Sequence, residues 1–385
     1  MKGLSVKIGN IDESDESVPA LFYRSRTAVL KLREGEIKTP CRAVSRSELN
    51  AKKNVPITRP IASSGSLVVD VHDLSESELV QFLDTNGAYR KIYDKTMDVL
   101  KRAQNASMVV IILQPCQNAY HILSDQEKRD QFLRMWFALQ SEIDSPILSV
   151  PYVGDLEDER FVGDTIRAAE TQGIGADLMF VVDLRHDVRK FKGIIDAVKE
   201  AVGTGATNVL GLIYRPHRDC AATYDYVWRT FKEEDVAILM LNIPRYDPND
   251  SVSMPHFTEF RLGDIYCVKN PMRLPLPGAN ALSRVRFLDR DSLTLPSLDV
   301  AVPDTEGVVS QLGVDCKCDR EFVSRLFADL DSLDDEKIKR IAYLSKVHEV
   351  LVSSTEMGIS REFIDEGDAV SYLEKKRPLY RKLRS

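Results

Sequence analysis

The sequence predicts a (β/α)8 TIM-type barrel, preceded by a β-hairpin unit and followed by a helical unit. From residue 66 onward a short apolar run, a polar turn and an amphipathic helical pattern alternate regularly. Strands that alternate with helices of this length form a parallel sheet with right-handed crossovers. The length of 385 residues suits such a barrel with further units at both ends. An open, doubly wound sheet is the second interpretation of the same pattern.

We expect three units, which cover residues 1–59, 60–275 and 276–385. The first should contain a strand and a hairpin, because residues 20–31 and 38–44 alternate between apolar and polar side chains around Arg33-Glu34-Gly35. Gly35 favours a turn there, since glycine accepts a positive φ. Such a hairpin is expected to cover the bottom of the barrel.

Seven apolar runs in the middle unit predict barrel strands. They lie at residues 67–71, 108–113, 147–150, 178–182, 209–213, 236–241 and 264–268. The eighth strand is expected at residues 42–44 or 55–57. Amphipathic patterns predict helices at residues 76–82, 88–102, 126–143, 158–172, 188–202 and 224–233, and a longer one at 320–352.

Two carboxylates end predicted strands, where ligands bind in parallel sheets and barrels. Asp70 and Asp183 could therefore act as a general base or as a nucleophile in ribosyl transfer. Each also has a simpler interpretation. Asp70 or Asp73 could cap the following helix, and Asp183 could form a buried ion pair with a neighbouring arginine.

Cationic side chains crowd the same edge of the predicted sheet. The candidate substrate-binding residues are His72, Arg185, Arg215, His217 and Arg218, together with the thiol of Cys267 in the last predicted strand. Arginine forks bind phosphate or carboxylate through paired hydrogen bonds, so these residues predict an anion-binding site. A metal held by the histidines at positions 72, 186 and 217 is a weaker interpretation, because none of them has the sequence spacing of metal ligands.

A candidate zinc site opens the helical pattern of the third unit. Cys316 and Cys318 are two thiols one residue apart, and His348 lies in the helical pattern that follows. Such ligands can tie a helical unit to a domain through zinc. Glu321 stands where a Cys-x-Cys-x-x-Cys pattern has its third thiol, and carboxylates are less common structural ligands. The alternative is two thiols without metal and a histidine that makes a hydrogen bond.

Several motifs together resemble the tRNA-guanine transglycosylase family. The cysteine pair with His348 is similar to the zinc module near the C-terminus of that family. Residues 35–40, Gly-Glu-Ile-Lys-Thr-Pro, look like its opening hairpin turn. Residues 256–267 are similar to its archaeal-type segment His…Gly-x-Asp-Leu-Phe-Asp. The order Glu356, Arg361, Ile364, Gly367 resembles that of its last helices.

The resemblance implies an enzyme that exchanges a guanine of tRNA, or of DNA, for a 7-deazaguanine-type base by displacement at C1′ of the ribose. The carboxylates available for this reaction are Asp70, Asp183 and Asp264. The implied ligands of a structural zinc ion are Cys316, Cys318, Glu321 and His348. A homodimer, or a heteromer with a related subunit, is also implied.

The sequence departs from this family at the position of the nucleophile. With Asp264 on the first Asp of Asp-Leu-Phe-Asp, Cys267 takes the nucleophile's place, and a shift by one residue puts Tyr266 there. Cys267 could attack only if a cation such as Lys269 lowered its pKa, and a buried, unreactive thiol is the simpler interpretation. The Asp-Ser-Gly-Gly-Phe-Gln signature of the family has no clear counterpart.

These departures support two further hypotheses. One is a non-catalytic relative that binds nucleic acid or an active transglycosylase subunit. The other is an unrelated barrel enzyme for a small anionic ligand, which the arginines at positions 215 and 218 favour.

Composition limits the setting of the protein. A net charge of −7 gives no overall attraction to nucleic acid, although residues 375–384 form a basic tail. No apolar run in the sequence approaches the length of about 18 residues that a membrane-spanning helix needs. Six scattered cysteines predict reduced thiols, and the N-terminus has no apolar stretch typical of a signal peptide. We therefore expect a cytoplasmic location and no membrane partner.

Overall fold

A computed structural model describes most of the chain as a parallel β-barrel surrounded by helices, which confirms the predicted fold class. The described residues are 4–13, 24–33, 35–55, 60–84, 87–143, 145–156, 158–174, 177–185, 187–245, 263–269, 285–297, 325–326 and 334–376. The side chains at positions 155, 217 and 218 are outside the description.

An antiparallel sheet packs under the amino-terminal end of the barrel. Its strands are β1 (Leu4–Glu13), β2 (Arg24–Leu32) and β3 (Gly35–Thr39). β2 and β3 form the predicted hairpin, in which Leu32 pairs with Gly35 at a φ of 108°. Leu30 and Ile37 of this sheet are buried in one apolar cluster with the inward-facing side chains of the barrel. The prediction of a hairpin that covers one end of the barrel is confirmed.

Eight parallel strands form the barrel in their order along the chain. They are β4 (Cys41–Ser45), β5 (Leu67–Leu74), β6 (Met108–Pro115), β7 (Ile147–Val150), β8 (Asp177–Asp183), β9 (Val209–Ile213), β10 (Ala237–Pro244) and β11 (Ile265–Lys269). The last strand, β11, pairs with the first, β4. All seven predicted strands are confirmed, and the eighth is the one expected at residues 42–44. The barrel therefore begins before the expected boundary at residue 60.

Helices follow the strands and cover the outside of the barrel. They are α1 (Arg46–Lys52), α2 (Glu76–Asp84), α3 (Gly87–Arg102), α4 (Tyr120–Leu123), α5 (Gln126–Glu142), α6 (Glu159–Thr171), α7 (Val188–Gly203) and α8 (His217–Phe231). The predicted helices are confirmed within about two residues, with the exception of the last. The prediction missed the start of α8 at His217, because the first turn is polar and shows no apolar periodicity. This turn ends at Cys220, whose backbone is non-helical.

Two helices of the third unit complete the described chain, α9 (Asp335–Asp365) and α10 (Ala369–Lys375). Residues 335–352 of the helix predicted at 320–352 lie in α9, and Asp334 caps the start of α9 by accepting a hydrogen bond from the N–H of Lys337. α9 packs against α1, β1, β2 and β4. In the described part of the chain, no helix has both the length and the apolar character needed to cross a membrane.

Asp264 attaches the amino-terminal sheet to the barrel. It directly precedes β11, and both its carboxylate oxygens accept hydrogen bonds from Arg26 of β2, at 3.0 and 2.7 Å. The same carboxylate accepts the backbone N–H of Ile238 at 2.7 Å, and Arg26 also donates to the carbonyl oxygen of Val236 at 2.6 Å. Both side chains of the ion pair are buried, so this polar contact is sealed from water.

One seam of the barrel is closed by side chains. Within the described residues, β6 and β7 share no backbone ladder. Gln140 of α5 takes the place of the missing strand: its Oε1 accepts the N–H of Ser149 at 2.7 Å, and its Nε2 donates to the carbonyl oxygen of Ser149 at 3.1 Å. The Ser149 hydroxyl then donates to the carbonyl oxygen of Ile111 on β6 at 2.6 Å. The Gln140 amide, together with Trp136 Nε1, which donates to the same carbonyl oxygen at 2.7 Å, therefore satisfies the backbone of Ser149 at the open edge of β7.

The substitution Gln140→Leu should destabilise the barrel at this seam. It keeps the size of the side chain but leaves a buried N–H and a buried carbonyl oxygen of Ser149 with fewer partners, at a cost of about 2–4 kcal/mol. Urea unfolding followed by far-UV circular dichroism measures this loss. Gln131→Leu on the same helix is the matched control, since Gln131 makes one half-buried hydrogen bond to a backbone oxygen. Equal losses for the two variants would contradict the role given to Gln140.

Candidate binding site at the carboxyl end of the barrel

The direction of each strand's side chains decides which residues reach the mouth, defined here as the carboxyl end of the barrel strands. Successive side chains of a strand point to opposite faces. Val181 lies in the inner apolar cluster, so Asp183 at the end of β8 also faces inward. Val68 packs with side chains of α1 and α3, so Asp70 and His72 face the helices.

Two arginines hold Asp183 at the mouth. Arg215, which follows β9, donates from Nε and Nη2 to the two carboxylate oxygens at 2.9 and 2.5 Å. Arg185 donates its backbone N–H at 3.0 Å and its Nη2 at 3.2 Å. Burial raises the pKa of the Asp183 carboxyl, but the hydrogen bonds and charges of Arg215 and Arg185 outweigh this effect and lower it. Asp183 is therefore an ionised counter-ion whose acceptor positions are filled.

Two side-chain amides meet across the mouth. Nδ2 of Asn242 donates to Oε1 of Gln114 at 3.0 Å, a contact that we call the amide bridge. β6 and β10 are the third and seventh of eight strands, so the bridge joins opposite sides of the barrel. Asn242 has a φ of 58° where the pairing of β10 with β11 is irregular. The bridge uses only Nδ2 of Asn242 and Oε1 of Gln114. Within the described residues, Nε2 of Gln114 and Oδ1 of Asn242 make no hydrogen bond, so they can bind a ligand.

Cys267 faces the barrel interior, and Tyr266 faces the helices. Ile265 and Cys267 belong to the inner apolar cluster, whereas Tyr266 lies in the outer one. Burial and the charge of Glu48 raise the pKa of the Cys267 thiol to about 12. A nucleophilic thiol needs a nearby cation, such as Lys269, that lowers its pKa. The pKa of Cys267 is raised instead, so this thiol is not activated by the described residues around it. Cys267 is a neutral, buried thiol at physiological pH.

Asp70 and His72 lie between the barrel and its helices. Oδ2 of Asp70 is 2.5 Å from Nη2 of Arg46 and 3.0 Å from Nε2 of His72, which is also 3.1 Å from the hydroxyl of Thr96 on α3. Burial raises the pKa of the Asp70 carboxyl, but His72 and Arg46 outweigh burial and lower it. The expected position of Asp70 at the mouth is therefore wrong, because its strand turns this side chain outward. Neither Asp70 nor Asp73 caps α2, since Ser75 does so.

The three predicted catalytic carboxylates do not come together. Asp183 lies at the mouth, Asp70 faces the helix layer, and Asp264 lies at the amino-terminal end of β11 with Arg26. An arginine neutralises each of them in a different part of the barrel. The structure therefore corrects the expectation that Asp70 and Asp264 share one site with Asp183.

A second polar cluster links the mouth to α9. Arg245, which follows β10, donates from Nε to Glu349 of α9 at 2.5 Å. Arg42 of β4 binds Glu349 at 3.2 Å and Glu48 of α1 at 2.6 Å. Lys346 of α9 is 4% exposed beside these residues, and burial together with the charge of Arg245 lowers its pKa to about 8. Three cations thus face two carboxylates in a buried cluster.

The remaining predicted residues are only partly described. His348 is buried in α9, and its Nε2 donates to the carbonyl oxygen of Leu288 at 2.9 Å. Cys316, Cys318 and Glu321 lie outside the described residues. In the described part of the chain, no three side chains of metal-ligating type come together. The side chains of His217 and Arg218 and the whole of His186 are outside the description.

Sequence reasoning did not select Gln114 and Asn242 as site residues. Both come at or near the ends of predicted strands, which was a signal of a position at the mouth. Their meeting depends on the barrel closing, and on the backbone conformation at Asn242. The cluster of Arg42, Glu48 and Glu349 was also missed, because its members are far apart in the sequence.

No protein-family model and no curated protein matches this chain. Solved structures with a similar course of the chain include the metallated homocysteine methyltransferase MmuM from Escherichia coli, with 10% identity over 57% of this chain and 77% of that one, at a TM-score of 0.37. Tryptophan synthase from Pyrococcus furiosus has 12% identity over 60% and 86%, at a TM-score of 0.33. Similarity at this level carries no conclusion about function.

The buried cluster around Lys346 should make stability depend on pH. The pKa of Lys346 is about 8 in the folded protein, against an ordinary value of 10.5. Between these two values the unfolded chain binds a proton that the folded protein does not, so the contribution of Lys346 becomes more favourable as pH rises. Its full penalty, about 3 kcal/mol, is present below pH 8.

Urea unfolding between pH 7 and 10 tests this dependence with the variant Lys346→Met. The variant should be more stable than the parent at pH 7, and this advantage should shrink between pH 8 and 10. Lys339→Met, at an exposed position of the same helix, is the control and should show no such trend. An advantage of Lys346→Met that stays constant over this pH range would contradict the account.

Proposed function

We propose that this chain is a diverged, transglycosylase-type barrel that binds a guanine-type base and its nucleic acid at the mouth without exchanging the base. The observation that carries the proposal is Cys267, a buried thiol on the inner face of the last barrel strand, where the family resemblance requires a carboxylate nucleophile. With a pKa raised to about 12, Cys267 supplies no thiolate near neutral pH.

The other carboxylates support the same conclusion. A nucleophile that attacks C1′ of a ribose needs an ionised oxygen with an open approach. Arginines occupy the oxygens of Asp183, and Asp70 and Asp264 are fully buried away from the mouth. Asp70, Asp183 and Asp264, the carboxylates that the resemblance offers for catalysis, are therefore unsuited to form a ribosyl–enzyme intermediate.

The binding groups suit the edge of a nucleobase. The amide bridge offers an N–H of Gln114 beside an oxygen of Asn242, and a donor next to an acceptor matches the hydrogen-bonding edge of guanine. Tyr152, which follows β7, packs against the inner cluster and supplies an aromatic ring at the same end of the barrel. The partner is tRNA, DNA or an active transglycosylase subunit that carries one of them.

The zinc ion stays part of this proposal. Of its predicted ligands Cys316, Cys318, Glu321 and His348, only His348 is described. A zinc-bound histidine usually donates its second ring nitrogen to a carbonyl or carboxylate oxygen, and Nε2 of His348 does so to Leu288. Zinc held by these four residues would fix the third unit to the barrel.

Incorporation of labelled guanine tests whether the chain exchanges bases. The parent protein is expected to incorporate no guanine into bulk tRNA or duplex DNA above the background without protein. Exchange by the parent that is abolished in Asp70→Asn, Asp183→Asn or Asp264→Asn would contradict the proposal and would identify the nucleophile.

Equilibrium binding of labelled guanine tests the other half of the proposal. The parent should bind guanine, and Gln114→Leu should weaken this binding about tenfold, the loss expected for one hydrogen bond in a closed site. Gln172→Leu, at an exposed position beyond α6, is the control and should bind like the parent. Equal affinities of parent and Gln114→Leu would remove the amide bridge from the site.

A further inference from the structure

We propose that the mouth contains a phosphate-binding site formed by Arg185 and Arg215, with Asp183 as the residue that positions both. The inference rests on the binding role proposed for the mouth and specifies the charged group of its ligand. It also gives Asp183 a role that differs from the catalytic one expected from sequence.

The geometry of the hydrogen bonds orients both guanidinium groups. Arg215 uses Nε and Nη2 for Asp183, and a guanidinium bound along this edge directs Nη1 away from the carboxylate. Arg185 uses its backbone N–H, Nε and Nη2 for the same carboxylate, at 3.0, 3.4 and 3.2 Å. The Nη1 groups of both arginines therefore point away from Asp183. The side chains are 67% exposed for Arg185 and 25% for Arg215, so solvent and ligands can reach them.

The charge of this cluster favours an anion. Two guanidinium groups face one carboxylate, which leaves one positive charge in excess within this cluster of three side chains. α8 begins two residues after Arg215; its N-cap residue, Pro216, has no side chain that caps the first turn, and that turn contains Asp219. The N-terminal turn of α8 thus adds backbone N–H groups and the positive end of a helix dipole. By contrast, the carboxylate of Asp187 caps the neighbouring α7.

The number of donors favours phosphate over carboxylate. Two arginine forks and an uncapped helix turn offer more N–H groups than the two oxygens of a carboxylate accept, whereas a phosphate presents three or more oxygen atoms. The phosphate belongs either to a mononucleotide or to the backbone of a polynucleotide. Both carry the same chemistry, and binding measurements separate them.

Isothermal titration calorimetry with inorganic phosphate, guanosine 5′-monophosphate and guanosine tests the site. The parent should bind the monophosphate more tightly than guanosine, and Arg185→Gln should weaken the binding of phosphate and monophosphate about tenfold or more. Arg185 is exposed, so this variant keeps the fold, which its thermal unfolding verifies. Arg167→Gln removes the same charge from an exposed position of α6 and should bind like the parent.

Asp183→Asn tests the positioning role separately. This variant raises the net positive charge of the cluster, so electrostatic attraction alone would strengthen phosphate binding. Loss of the bidentate contacts should instead release Arg215 and Arg185 and weaken phosphate binding. Stronger binding of phosphate by Asp183→Asn would show that Asp183 does not position the arginines, and would overturn that part of the proposal.

Two outcomes would overturn the phosphate site itself. One is equal affinity of guanosine and its monophosphate for the parent, together with an affinity for a single-stranded oligonucleotide that does not depend on Arg185. The other is unchanged affinity of Arg185→Gln for every phosphate-containing probe. An Arg185-dependent affinity for a single-stranded oligonucleotide, but not for the mononucleotide, supports the site and assigns the phosphate to a polymer backbone. Base exchange combined with Arg185-dependent phosphate binding would contradict the non-exchanging function and keep the site.

Discussion

The pairing of buried carboxylates with arginines is the interaction on which this barrel depends. Arg26 holds Asp264 under the barrel, Arg42 holds Glu48 in the helix layer, and Arg215 holds Asp183 at the mouth. A carboxylate that is removed from water needs such a partner, because an unpaired buried charge costs several kcal/mol. The same pairs decide the chemistry, since a carboxylate bound along both oxygens by a guanidinium is a poor nucleophile.

The closure of the barrel places the binding groups. Gln140 completes the seam at β7 in the place of a strand, and Gln114 and Asn242 meet from opposite sides above the apolar interior. The inner cluster fills the barrel below them with aliphatic side chains and Cys267. A ligand at the proposed site would therefore contact amides and arginines at the upper rim of the barrel.

Sequence periodicity was sufficient for the architecture, because apolar runs and helical patterns are local signals. It also predicted that Asp70 and Asp183 both lie at the mouth, although Asp70 faces the helices and Asp183 faces the barrel interior. A shift of one residue reverses the face of a strand, and runs that are buried on both faces give no alternation from which to read it. The amide bridge and the cluster around Glu349 depend on contacts between distant segments, which no local pattern contains.

The central proposal is that Asp70, Asp183, Asp264 and Cys267 form no covalent bond to ribose. Denaturing gel electrophoresis of the protein after incubation with radiolabelled tRNA or duplex DNA, in the absence of free base, tests it directly. The account predicts that all label migrates as free nucleic acid. A labelled band at the combined mass of protein and nucleic acid, lost in Asp183→Asn but retained in Cys267→Ser, would contradict it.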